Sequence, residues 1–171
     1  MLKTVHRRAA HALPALPEVS RFDGDNGAMD WSLPAELAAG ASVRGEEYGW
    51  EIACFPAALA TAERLELSCL GGQLQFRFDD AVYEMYWLSA DPTERLAGEA
   101  WTAYVHRSCS EVAKGFDRLV ATTDFSVVVR ELPSDLRDKA TADGVDPTRV
   151  LVFVAYFVTE QAFVDLSVTK R

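Results

Sequence analysis

The sequence predicts an α+β fold in a single domain: a largely antiparallel β-sheet with a long amphipathic helix and several shorter helices packed on it. Three observations carry this reading. Residues 73–78 and 83–88 alternate apolar and polar around Asp79-Asp80, as the two arms of a hairpin do. Residues 99–120 repeat at helical spacing instead, with Trp101, Val105, Ser108, Val112, Phe116 and Leu119 on one stripe. Strand patterns also come in neighbouring pairs with helix patterns between the pairs, which favours an antiparallel sheet over a βαβ series.

Residues 1–30 read as a basic N-terminal arm and connector, and residues 31–171 as the α+β domain. Lys3, Arg7 and Arg8 stand in an arm whose apolar stretch is broken by His11, Pro14 and Pro17, unlike the core of a secretion signal. Residues 18–30 are dense in Asp, Asn and Gly, a loop composition. Ser32 is expected to cap a short helix that Gly40 ends. Residues 41–55 carry no decisive pattern, and Pro56 suits the first turn of a helix over 57–64.

In the hairpin, a two-residue turn puts Tyr83, Met85 and Trp87 on the face of Leu74, Phe76 and Phe78. Gln73, Gln75, Arg77 and Glu84 then lie opposite, on a polar face. Asp91-Pro92-Thr93-Glu94 has the order of a cap, an N1 proline and an N3 glutamate, predicting a helix start. Residues 125–132 read as a strand. Residues 134–142 read as a helix capped by Ser134 and closed by Gly144, and Asp146-Pro147 as a turn. Residues 150–158, VLVFVAYFV, are apolar without alternation, as in a strand covered on both faces. A last strand is expected with Val164, Leu166 and Val168 inward.

Composition excludes several classes. With 49% hydrophobic and 11% aromatic residues among 171, the chain is no disordered segment. A net charge of −9 repels phosphate, so no nucleic acid is expected. No stretch of 18 apolar residues occurs, so no membrane partner is expected. Three cysteines cannot all pair, and reduced thiols point to a cytoplasmic setting.

No G-x-S-x-G, G-x-x-x-x-G-K or G-x-G-x-x-G occurs, so no catalytic residue is assigned and the reading leans away from an enzyme. His106 and Cys109 can share a helix face, but Cys54 and Cys69 lack the short paired spacing of a zinc site. Neither metal nor cofactor is expected. Cys109 lies mid-helix, away from any activating dipole, whereas Cys69 stands beside Gly71-Gly72, where backbone could approach a ligand. The paired carboxylates (Glu46-Glu47 with Glu51, Asp79-Asp80, and Glu84) have no glycosidase or calcium spacing, and a solvated acidic face accounts for them.

Charge is the uneven property. Residues 31–100 hold twelve acids and four bases, a net of −8 out of −9, with tyrosine and tryptophan interleaved. The expected function is a non-catalytic interaction domain. It would present Glu46, Glu47, Trp50, Glu51, Glu84 and Tyr86 to a basic partner protein. A bacterial immunity or antitoxin-type inhibitor is its concrete form, because negative charge steers association with a basic cleft. The alternative is a small enzyme or small-molecule binder with a pocket near the Gly71-Gly72 hairpin, using Cys69, Tyr83 or Glu84. The oligomeric state is left open.

Overall fold

The computed structural model describes residues 3–5, 32–142 and 147–169. The chain runs β1 (Lys3–Val5), α1 (Ala35–Ala38), β2 (Ser42–Arg44), β3 (Glu47–Glu51), α2 (Phe55–Arg64), β4 (Ser68–Arg77), β5 (Ala81–Ala90), α3 (Trp101–Thr122), α4 (Phe125–Arg130), α5 (Ser134–Ala142), a 3₁₀ turn (Pro147–Val150), β6 (Leu151–Val158) and α6 (Glu160–Thr169). The strands form one sheet in the order β1-β5-β4-β6-β3-β2. β2, β3, β6, β4 and β5 are antiparallel to their neighbours, and β1 joins the β5 edge in parallel. This is the expected α+β fold with its long helix.

β6 lies between β4 and β3, and seven of its eight residues are buried, as its unbroken apolar run requires. Alternation sends Phe153 toward α2 and α3. There the rings of Phe55, Phe116 and Phe153 meet with centroids 4.4 to 5.1 Å apart. Val105, Cys109, Val112 and Phe116 of α3 are buried on the same side, the stripe that the helical spacing predicts. Truncating any one of these phenylalanines to alanine would cost about 3–5 kcal/mol.

The β4–β5 hairpin has the expected register near its turn, with Phe76 opposite Tyr83 and Leu74 opposite Met85. Beyond that the strands fall out of step. Gln73 pairs with Ser89, so Tyr86, Trp87 and Leu88 form a three-residue bulge on β5. Trp87, expected on the core face, is therefore 46% exposed. A second bulge separates Cys69 from Gly72 against β6. Gly71 takes φ +110° there, and a Cβ on Gly72 would sit 2.1 Å from the Val154 carbonyl oxygen. Gly71-Gly72 thus interrupts a strand rather than opening a hairpin.

Four local expectations are corrected. α1 begins at Ala35 behind Pro34, whose carbonyl accepts from Leu37 and Ala38, so Ser32 is not its cap. Residues 91–96 form no helix: the Thr93 amide donates to Glu111 and the Leu96 amide to Glu99, side chains outside the segment. Residues 125–130 are helical because Asp124 accepts the Ser126 and Val127 amides, and this cap outweighs a β-favouring valine run. Residues 160–169 are helical as well. The Thr159 hydroxyl accepts the Ala162 amide, and Phe163 packs on Trp101 and Tyr104. Residues 18–30, Gly144 and Asp146 lie outside the described residues.

Candidate functional site

The face of the sheet turned away from α2 and α3 carries a polar cluster that spans five strands. Its placement follows from alternation. Trp50 of β3 faces the helices, so Glu47, Gly49 and Glu51 face the other way. β4 adds Gln75 and Arg77, β5 adds Glu84 and Tyr86, β6 adds Tyr156, and β2 adds Ser42.

Arg77 is the centre of the cluster, its side chain 3% exposed. Nε donates to Gln75 Oε1 at 3.0 Å, and Nη1 donates to the Ser42 carbonyl at 2.7 Å and hydroxyl at 3.2 Å. Nη2 lies 3.7 Å from Glu47 Oε2 and makes no hydrogen bond among the described residues. The guanidinium lies over Gly49, where a Cβ would come within 3.1 Å of Arg77 Cζ. That residue must be small for the arginine to cross the sheet.

Glu47 is shared among several donors. Tyr156 donates its hydroxyl at 2.6 Å, and Gln75 Nε2 donates at 3.1 Å. Gln75 also reaches Glu84 at 3.4 Å, and Tyr86 donates its hydroxyl to Glu84. Burial lowers the pKa of Arg77 below the usual guanidinium range, with Glu47 opposing the shift. Burial first, and the carboxylate partners second, raise the Tyr86 and Tyr156 phenols above theirs. Both phenols therefore stay protonated and donate at neutral pH. The cluster holds two carboxylates against one guanidinium, fixed by hydrogen bonds in an orientation that binding need not create.

Of the six residues expected to bind a partner, Glu47, Glu84 and Tyr86 come together here. Glu46, in the turn before β3, and Glu51, at its end, are exposed, and their carboxylates make no hydrogen bond or ion pair among the described residues. Trp50 is 1% exposed and packs edge-on against Phe157, so it offers no surface to a partner. Its position in β3 points it into the core, a placement the undecided reading of residues 41–55 could not give.

The sequence reading missed Ser42, Gln75, Arg77 and Tyr156 as members. One signal was present. A strand covered on both faces implies neighbours covered near it, and the strand order makes β4 one of those neighbours, so Gln75 and Arg77 are not a solvated face. Tyr156 is the one residue of the run 150–158 with a hydroxyl.

The residues of the alternative reading are not assembled. Cys69 and Tyr83 are core residues, whereas Glu84 belongs to the opposite face. Burial raises the Cys69 and Cys109 thiols above their ordinary pKa, which suppresses the thiolate. His106 is exposed and pairs with Glu63 at 2.7 Å, while Cys109 donates inward to the Leu67 carbonyl. Among the described residues no group of three or more His, Cys, Asp or Glu side chains could hold a metal, and no helix is long and apolar enough to cross a membrane. The chain matches no family model, no curated protein and no solved structure.

Proposed function

We propose that this chain is a non-catalytic interaction domain that receives a basic partner protein on its polar sheet face and the adjoining end of β3. The supporting observation is the pair of exposed carboxylates of Glu46 and Glu51, unpaired among the described residues and flanking a Glu47 that Tyr156, Gln75 and Arg77 hold in place. Elsewhere in the acidic segment two carboxylates are neutralised internally, Glu36 by Arg64 and Glu99 by Arg107. The β3 region presents its part of the acid excess of residues 31–100 at Glu46, Glu47 and Glu51. Exposed charge of this kind acts on encounter rate and partner choice more than on residence time. An immunity or antitoxin-type inhibitor of a basic toxin is the specific form that this chemistry suits.

The test begins with capture from lysate at about 50 mM and about 500 mM salt, the lower salt preserving exposed charge contacts. The stoichiometric partner is then purified, and its association rate is measured with E46K/E51K. The reading expects a basic partner and a rate at least about tenfold slower at low salt for the variant. A rate and salt dependence identical to wild type would overturn it.

A further inference from the structure

We propose that the cleft between the β5 bulge and the C-terminal half of α3 binds a small planar aromatic anion, with its ring against Trp87 and its anionic group on Arg118. The cleft measures about 370 Å³, and its lining includes Trp87, Ser89, Asp91, Arg118, Thr122 and Thr123. Ligand pockets run from about 300 to 1,000 Å³, so this one suits one or two fused rings.

The bulge is the first observation. It takes Tyr86, Trp87 and Leu88 out of the β4–β5 ladder and leaves an indole at the cleft rather than in the core. The indole makes an edge contact with Tyr83, a buried ring 6.3 Å away at 77°. That contact ties the indole to the core, and the exposed part of the ring system is available to a ligand ring.

The second observation is Arg118. It is exposed, and its guanidinium makes no hydrogen bond or ion pair among the described residues. Arg107, eleven positions earlier on the same helix, is instead occupied by Glu99 and Glu111. A planar guanidinium can take a carboxylate or a phosphate with two parallel hydrogen bonds.

Asp91 gives the cleft its polarity. Its carboxylate accepts from the Ser89 hydroxyl at 2.9 Å, leaving acceptor capacity for an N–H on the ligand ring. It also disfavours a second anionic group at that position. The base of the cleft is closed where α3 meets β5: a Cβ on Gly115 would lie 2.9 Å from that of Ala90. Trp87 and Tyr86 serve different surfaces, so this site stands independently of the partner-binding reading.

The test titrates the full chain with 5′-AMP and with indole-3-acetate, which separate a phosphate source from a carboxylate source. Adenosine, indole and inorganic phosphate are the controls. Amide cross-peaks of Gly115, Thr122 and Thr123 report occupancy by NMR. At least one anion should bind saturably, about tenfold or more tighter than every control. W87A should abolish binding, and R118Q should remove the advantage of the anion over its uncharged counterpart, with far-ultraviolet circular dichroism unchanged in both. No saturable shift with either anion up to about 10 mM overturns the proposal, and so does binding that either variant leaves unaltered.

Discussion

Arg77 and Arg107 each stand at the centre of a carboxylate cluster, yet different forces hold them. Arg77 is enclosed by the sheet. Its one close carboxylate, Glu47, lies at 3.7 Å, and its hydrogen bonds go to neutral acceptors on Gln75, Ser42 and the β3 backbone. Arg107 is partly open to solvent and engages Glu99 at 2.8 Å and Glu111 at 3.2 Å. Burial lowers the pKa of the first; hydrogen bonds to Glu99 raise that of the second. A buried guanidinium is kept by the shape of its surroundings, a surface one by charge. The first should respond to substitution and packing, the second to salt and pH.

The largest expected effect is at Arg77. Arg77→Ala should lower stability by about 3–5 kcal/mol in urea denaturation, because it empties a buried site, takes the donor from Gln75 Oε1 and removes the positive charge beside Glu47. Replacing Arg77 by Met together with Glu47 by Leu should recover part of that loss. An unchanged urea midpoint for Arg77→Ala would show that burial is not what distinguishes the two arginines.

Gly49→Ala should come next, at about 1–3 kcal/mol by thermal melting. Its methyl would lie 2.8 Å from Val152 Cγ2 and 3.1 Å from Arg77 Cζ, so the guanidinium must move. A neutral result would mean that Arg77 has room the structure does not show.

Glu99 sharpens the other side. Its bonds to Arg107 and to the Leu96 amide lower its pKa from the ordinary 4.5 to about 2. A depressed carboxylate contributes stability that is fully present above its unfolded-state value and is lost as pH falls through the folded-state value. Acid unfolding should therefore steepen between about pH 4.5 and about pH 2, and Glu99→Gln should flatten that window. Salt at about 1 M should weaken this contribution and leave that of Arg77 nearly intact. The smallest effect is expected for Asp79→Ala, within about 0.5 kcal/mol, since Arg44 uses only its backbone carbonyl.

The parts of the fold legible in the sequence are those whose information is local. The alternation in β4, the period of α3 and the two-sided run of β6 each state their own environment. α4 and α6 were missed because their valines favour strand, and the decisive atoms lie outside the runs, on Asp124 and Thr159. The polar cluster was half legible for a similar reason. Sequence pattern places Glu47, Glu84 and Tyr86 in an acidic, aromatic segment. Only the strand order brings Tyr156 to Glu47, 109 positions away. Trp87 left the core because the register slips between Gln73 and Leu74, and periodicity read along one strand does not report its partner's step.

The placement of the cysteines gives the chain a clock for its own opening. Cys54 is exposed, whereas Cys69 on β4 and Cys109 on α3 are buried where those elements meet. A thiol-modifying reagent meets one accessible sulfur in the folded chain and three in the unfolded one. The delay between the first modification and the other two measures how often α3 lifts from the sheet. That interval can be read with no engineered label, and any ligand seated between β5 and α3 should lengthen it.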